Sequence, residues 1–308
     1  MSKTNILTFP LDRRAADSTE GPAKDNAAVI PFKRAAKFAD TFTAQPQGPA
    51  TEEDLLELGE LWGAITEGRL QNFYQPQYDL ATDRFVALEA LVRIIDEDGM
   101  IVPPDRFIRQ AEESGLIIPL GRTVIQQACR DLAHLRSVGI DVERVSINLS
   151  AHQINMDVDL PEFIGDMVGS YGLKFSDLEF ELTERQALEA GGQGTHTLRV
   201  LSAAGARLAI DDFGTGYSSV AYLSELPIDT VKLDRSMIAR LPEDNTTLEV
   251  IRHLLNMGEA LGVTTVAEGV ETDVQNELLN DLNCDLGQGY LKARPLPLDE
   301  LTVLMKRQ

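Results

Sequence analysis

Only two of the 308 residues are cysteine, Cys129 and Cys284. They are too few and too isolated to make a disulfide framework or a zinc cluster. Histidine is almost as scarce: His134, His152, His196 and His253 show no zinc-like spacing and read as structural or exposed. No apolar run reaches the roughly 18–20 residues needed to span a bilayer, and the first ten residues lack the apolar core of a signal peptide. Together these absences fit a protein of the reducing cytoplasm. Basic residues are also in short supply, 28 against 49 acidic, for a net charge of −21. Such a chain has no broad electrostatic footprint for duplex nucleic acid. It would repel a free nucleotide unless bound metal ions reversed the local sign.

Several familiar loops are absent. No glycine-rich dinucleotide fingerprint follows the first strand, and Gly191-Gly192-Gln193-Gly194 lacks the Gly-Lys-Ser/Thr ending of a phosphate loop, so it reads as a flexible connection. Asp212-Phe213-Gly214 has no His-Arg-Asp partner of the kinase kind. Asp96-Glu97-Asp98-Gly99 is a turn, short of a complete calcium loop.

What is present is a globular composition, 43% hydrophobic and 25% charged. Residues 1–50 stand apart. They hold seven of the basic and five of the acidic residues, show no sustained period and end in Gln45-Pro46-Gln47-Gly48-Pro49. They read as a disordered tail, with residues 28–38 mixing apolar and basic side chains as a weak partner-binding segment would. At Thr51 an N-cap with an acidic first turn opens a helix through Ile65.

After Gly68 a cycle begins. Strands are expected at 71–78, 84–93, 144–149, 178–183, 207–211, 230–233, 264–267 and 285–291. Helices are expected at 104–138, 161–171, 195–205, 218–225, 246–261 and 272–282. About eight strands alternating with helices predict an α/β fold, a (β/α)8 TIM-like barrel. The link Asp79-Leu80-Ala81-Thr82-Asp83 is too short for a helical crossover, so the first two strands must pair antiparallel and one barrel strand is reversed. An open doubly wound sheet is the competing architecture.

In such a barrel, chemistry gathers at the C-terminal ends of the strands. Glu89 and Arg93 lie in the second predicted strand, Asn148 ends the third, and Glu181 with Glu184 ends the fourth. Asp211 and Asp212 end the fifth, Lys232 lies in the sixth, Glu268 ends the seventh and Gln288 lies in the eighth. Singly, each acid reads as a helix cap or solvated loop residue, and Lys232 as a snorkelling side chain. Jointly, that much negative charge at one mouth requires cations. Oxygen-only ligands favour Mg²⁺ or Mn²⁺, and the adjacent Asp211 and Asp212 suit a pair of ions about 3.5–4 Å apart. Arg93 and Lys232 supply positive charge for an anionic substrate.

Motifs in order and spacing carry a resemblance. They are Tyr74-Gln75-Pro76, Glu89-Ala90-Leu91-Val92-Arg93, Ile147-Asn148-Leu149-Ser150, Glu181-Leu182-Thr183-Glu184 and Asp211-Asp212-Phe213-Gly214-Thr215-Gly216-Tyr217-Ser218-Ser219. Val231-Lys232-Leu233-Asp234, Ala267-Glu268-Gly269-Val270-Glu271 and Gly287-Gln288-Gly289-Tyr290 follow. Over roughly residues 53–306 the chain resembles the EAL-domain family of cyclic di-GMP phosphodiesterases, placing such a domain at 51–308. The resemblance implies hydrolysis of cyclic di-GMP to linear pGpG with two ions, Mg²⁺ or Mn²⁺. It implies that Glu89, Asn148, Glu181 and Asp211 hold one ion and Asp211, Asp212 and Glu268 the other. Lys232 would sit near the attacking water, with Asp212 and Glu268 also in the catalytic set. Gln75, Arg93 and Gln288 would contact substrate, Gln288 and Glu271 would support the site, and Glu184 would anchor the loop 213–219. A homodimer and an unidentified regulator acting through the tail are the implied protein partners. A catalytically silent cyclic di-GMP receptor is the alternative function, though no metal ligand is missing.

Overall fold

The computed structural model describes residues 52–214 and 226–307, with side chains from residue 57 onward. The predicted helix at 218–225 and the tail at 1–50 lie outside the described residues. Helix α1 (Glu52–Thr66) leads into β1 (Leu70–Asp79) and β2 (Phe85–Ile95), followed by a two-residue β3 (Ile101–Val102). Then come α2 (Ile108–Ser114), α3 (Ile117–Ser137), β4 (Arg144–Asn148), α4 (Ala151–Met156), α5 (Leu160–Ser170) and β5 (Leu178–Thr183). Next are α6 (Glu184–Glu189), α7 (Gly191–Ala203), β6 (Arg207–Phe213), β7 (Thr230–Leu233) and α8 (Arg235–Ile238). The described chain closes with α9 (Asn245–Leu261), β8 (Thr264–Glu268), α10 (Asp273–Asp281), β9 (Leu286–Gln288), β10 (Leu296–Pro297) and α11 (Leu298–Met305).

Strands β2, β4, β5, β6, β7, β8 and β9 are parallel neighbours, and β1 pairs antiparallel with both β2 and β9. The result is a closed eight-stranded mixed barrel with one reversed strand, as the short β1–β2 link demands. In that link Asp79 Oδ1 accepts the backbone N–H groups of Ala81 and Thr82, and Asp83 takes a positive φ of 62°, which closes the turn.

β2 overshoots the barrel. It pairs with β4 only across Ala87–Ala90, whereas its pairing with β1 runs on to Ile94. The upper half of β2 therefore stands above the rim and carries Arg93 beside the mouth. The Asp96–Gly99 turn links β2 to β3, with Asp96 Oδ1 accepting from the N–H groups of Asp98 and Met100.

The expected single helix at 104–138 is divided. A 3-10 turn at Pro104–Arg106 precedes α2, and Gly115, at φ +78°, ends α2 before α3 starts. The segment 191–194, expected to be a flexible connection, is instead the first turn of α7. Gly194 serves packing: a Cβ there would lie 2.8 Å from Asn155 Oδ1, which accepts the Gly194 N–H. The last barrel strand stops at Gln288 because Gly289 passes against the backbone of Val270, where a Cβ would fall 2.1 Å from the Val270 carbonyl oxygen. No described helix is long and apolar enough to cross a membrane.

The reversed strand is fastened from outside as well as by its ladders. Asn72 Nδ2 donates to the Val124 carbonyl, Tyr78 Oη to Asn276 Oδ1, and Tyr74 Oη to the buried Asp131 at 2.7 Å. Burial and the Asp131 charge hold the Tyr74 phenol well above its usual pKa, so it stays a donor. Tyr74→Phe leaves a buried carboxylate short of one donor and should cost about 1.5–3 kcal/mol. Urea unfolding measures this, and an unchanged midpoint would show that Arg130 alone satisfies Asp131.

Candidate active site

The barrel interior holds two polar storeys, built by residues two apart on the same strand, since alternate side chains share a face. The lower storey centres on Glu179, which is fully buried. Its Oε1 accepts from Ser146 Oγ at 2.8 Å and its Oε2 from Thr230 Oγ1 at 2.7 Å. Arg144 Nε lies 3.2 Å and Arg207 Nε 3.3 Å from the same carboxylate. Burial opposes its ionisation, but Arg144, the two hydroxyls and Arg207 outweigh it and hold the acid below the usual carboxylate range. One acid faces two guanidiniums here, so this storey needs no further cation.

The upper storey is the reverse. Lys232, with no exposed surface, stands at its centre. Its Nζ lies 2.7 Å from Glu181 Oε2, 2.7 Å from Glu268 Oε1, and 3.4 Å from both Glu89 Oε2 and Asp211 Oδ1. Burial opposes its charge, but these four carboxylates raise the ammonium well above its ordinary pKa. It does not snorkel.

One lysine cannot balance so many acids. Burial, together with repulsion from Glu89, Asp211 and Glu179, drives Glu181 well above the carboxylate range despite Lys232. Burial and the charges of Asp211 and Glu89 raise Glu268 to about 8. Asp212 rises to about 6 through burial and the nearby Asp211 and Asp234. Glu89 alone is lowered: against burial, it has the Lys232 charge and hydrogen bonds from Gln288 and Asn148.

Asp211 and Asp212 meet Glu268 through a local backbone irregularity. Neighbouring residues of a regular strand point to opposite faces. Here the β6–β7 register shifts between Ile210 and Phe213, and Asp212 adopts a left-handed φ of 54°, a conformation Asp tolerates better than most residues. One oxygen from each of Asp211, Asp212 and Glu268 then lies within 4.8 Å of the others. Gly269, at φ +72°, turns the chain directly after Glu268; a Cβ there would sit 2.6 Å from Arg235 Cβ.

The remaining expected residues fall around this centre. Asn148 Nδ2 donates to Glu89 Oε1 at 3.0 Å, which leaves its Oδ1 as the oxygen turned away from Glu89. Gln288 Nε2 donates to Glu89 Oε2 and, at 3.2 Å, to Gln75 Oε1. Gln75 Nε2 donates to the Ala293 carbonyl. Arg93 is half-buried, lies 6.0 Å from the Phe73 ring centroid and donates to the Val92 carbonyl. A cleft of about 540 Å³ is lined by Glu89, Arg93, Asn148, Asp211 and Asp212, with Ile108, Leu120 and Val124 among its apolar walls.

Two expected residues sit farther out. Glu184 opens α6 behind the Thr183 cap, while most of the loop it was expected to anchor (215–219) lies outside the described residues. The Glu271 side chain is exposed, and its backbone N–H is held by Gln275 Oε1 at 2.9 Å. Sequence reading missed Gln77, which donates to Gln288, and the whole lower storey. The signal was available in Arg144-x-Ser146-x-Asn148, Glu179-x-Glu181 and Thr230-x-Lys232, polar residues at period two inside buried strands.

Divalent cations fit these residues. Glu181 Oε1 is buried with no hydrogen-bond partner, an atom that needs a cation or donor. The three clustered carboxylates are hard oxygen donors.

An eight-stranded mixed barrel with an acidic mouth around a buried lysine defines a TIM-barrel-like protein with a site suited to divalent metals. Residues 59–295 match the family model described as the EAL domain, and the chain belongs to that family. It is 38% identical over 268 residues to the cyclic di-GMP phosphodiesterase NbdA of Pseudomonas aeruginosa, covering 87% of this chain and 34% of that protein. It is 36% identical over 260 residues to the oxygen sensor protein DosP of Escherichia coli, covering 84% and 32%. The chain thus spans about a third of the length of these relatives. Among solved structures, PaMucR phosphodiesterase in complex with c-di-GMP aligns with a TM-score of 0.75 at 34% identity, over 80% of this chain and 99% of that one. The EAL domain of Mycobacterium smegmatis DcpA aligns with a TM-score of 0.65 at 30% identity, over 78% and 97%.

The raised acids set a pH dependence for the chelated protein. A folded-state pKa above the unfolded value means the folded state binds more protons between the two, so stability falls as pH rises through that window. For Glu268 the window runs from the ordinary carboxylate range to about 8. Chemical denaturation in EDTA should show stability falling over this range, and Glu268→Gln should flatten the fall. A slope identical in wild type and variant would remove Glu268 as its source.

Proposed function

We propose that the chain is a cyclic di-GMP-specific phosphodiesterase that hydrolyses the cyclic dinucleotide to linear pGpG using two divalent cations, Mg²⁺ or Mn²⁺. The observation that carries this reading is the imbalance of the upper storey: five carboxylates, Glu89, Glu181, Asp211, Asp212 and Glu268, gather around one buried lysine, and three of them, Glu89, Asp211 and Asp212, line the cleft. The name of NbdA and the c-di-GMP complex of PaMucR support the choice of substrate.

In this reading Glu89, Asn148, Glu181 and Asp211 hold one cation, and Asp211, Asp212 and Glu268 hold the other. The bound ions would supply a hydroxide-like nucleophile at neutral pH and offset charge on the phosphate and the leaving oxygen. Water adds across one P–O3′ bond: the phosphate keeps its 5′ ester, and the 3′ oxygen leaves and gains a proton. Lys232 is held protonated by its carboxylates, so it cannot act as the base. It keeps Glu181 and Glu268 in place and puts positive charge beneath the reacting phosphate. Asp212 and Glu268 would take the proton of water. Arg93, on the overshooting half of β2, would meet a substrate phosphate, and Gln75 and Gln288 the rest of the dinucleotide. Glu184 would steady the segment that follows β6, and Glu271 would support the site from outside. The chemistry is assigned to residues 51–308, with residues 1–50 as a tail open to a regulator; the protein would act as a cytoplasmic homodimer.

Turnover of cyclic di-GMP settles the reading. We expect pGpG with Mg²⁺ or Mn²⁺, none after chelation, and inhibition by Ca²⁺, whose looser coordination misaligns water and phosphorus. Binding without turnover under every metal would instead identify a silent receptor, and full activity after exhaustive chelation would falsify the two-cation reading.

A protein comprising residues 51–308 should retain the fold and full kcat. If removal of the tail abolishes turnover while the barrel stays folded, the tail belongs to the active machinery.

A further inference from the structure

Gln77 lies one inward position below Gln75 on the reversed strand, paired across the ladder with Ala87, and has no exposed surface. Its Nε2 donates to Gln288 Oε1 at 2.9 Å, while its own Oε1 is buried without a partner. A buried amide with an orphaned oxygen costs stability, so its position calls for a reason.

The reason follows from the direction of the hydrogen bonds. An ionised carboxylate only accepts, whereas an amide has one donating and one accepting end. Glu89 accepts from Gln288, so Gln288 must turn its nitrogen toward Glu89 and its oxygen the other way. That oxygen meets Gln77, which must therefore donate. Both hydrogens of Gln288 Nε2 are then used, on Glu89 and on Gln75 Oε1. Glu89 is gripped from its other side by Asn148. With Gln288 flipped, a carbonyl oxygen would face a carboxylate oxygen.

We propose that Gln77 is a positioning residue: by donating to Gln288 Oε1 it locks the Gln288 amide in the orientation that presents N–H groups to Glu89, and so fixes the Glu89 carboxylate for cation binding. This rests on the two-cation reading above and names a residue that reading does not use. Gln77 is not among the residues that line the cleft and acts through Gln288. The orphaned Gln77 oxygen is the cost of keeping its nitrogen turned to Gln288.

Two variants test it. Gln77→Met keeps the volume and cannot donate, which frees Gln288 to flip. Gln77→Glu, held neutral by burial, can still donate its carboxyl proton to Gln288 Oε1 and is the conservative rescue. Calorimetric titration of Mn²⁺ into the substrate-free protein should show affinity weakened about tenfold in Gln77→Met, the lower edge of the range for groups that orient metal ligands, and little changed in Gln77→Glu. Turnover of cyclic di-GMP by Gln77→Met should fall at limiting Mn²⁺ and recover in excess Mn²⁺, with KM for the dinucleotide little changed. A merely structural role would lower the melting temperature without this recovery.

A further measurement needs neither metal nor substrate. The Gln288 side-chain amide protons, assigned by NMR against Gln288→Leu, should be protected from exchange in the wild type and lose protection in Gln77→Met. If Gln77→Glu fails to fold, Gln77→Met carries the test. Wild-type Mn²⁺ affinity with an unchanged Gln288 amide signal in folded Gln77→Met would overturn the proposal. If the wild type bound no Mn²⁺, the two-cation reading would fail, and the NMR result would still decide whether Gln77 orients Gln288.

Discussion

Lys232 is the constraint on which the upper half of the barrel depends. Its ammonium is fully buried and lies within 3.4 Å of four carboxylates contributed by β2, β5, β6 and β8. Those strands are distant in sequence, so a single charge ties four parts of the chain to one point. Breaking a buried ion cluster by removing one sign costs far more than a surface pair contributes, because the partners stay buried and unbalanced. The same arrangement leaves the mouth short of positive charge. Structural economy and chemical appetite have one source.

The storey below shows the contrast. Glu179 is saturated by two hydroxyls and two guanidiniums and has nothing left to offer a ligand. The two storeys share β4, β5, β6 and β7 at alternate positions and differ in the balance of charge. Where cations outnumber the acid the storey is complete; where acids outnumber the lysine it is suited to further cations.

Two departures from a regular barrel shape the cleft. The reversed β1 permits the tight β1–β2 link, so β2 extends above the rim and carries Arg93 beside the acidic cluster. The register shift after Ile210 and the left-handed Asp212 bring adjacent aspartates onto one side. Backbone strain of this kind persists only where the surroundings fix it. Here it accompanies the groups on which the proposed chemistry depends.

Much of this was legible in the sequence. The alternation of strands and helices predicted the barrel, and the short segment from Asp79 to Asp83 required one reversed strand, because no crossover fits in it. Acids at the ends of apolar runs marked the mouth. Lys232 was visible as a residue but not as a role, since a lysine in an apolar strand reads equally well as a snorkelling side chain; only its four partners, each from a separate strand, decide that it is buried and charged. Gly191–Gly194 read as a connection because nothing local reveals that Asn155 on α4 needs a neighbour without a side chain. Gln77 follows the Tyr74-Gln75-Pro76 motif and was not singled out. Its role depends on which end of the Gln288 amide faces Glu89, and that depends on register across β1, β2 and β9. Local spacing determined which residues could face inward. The closure of the sheet decided which of them meet, because hydrogen-bond direction and charge balance exist only between groups that the fold has brought within about 3 Å.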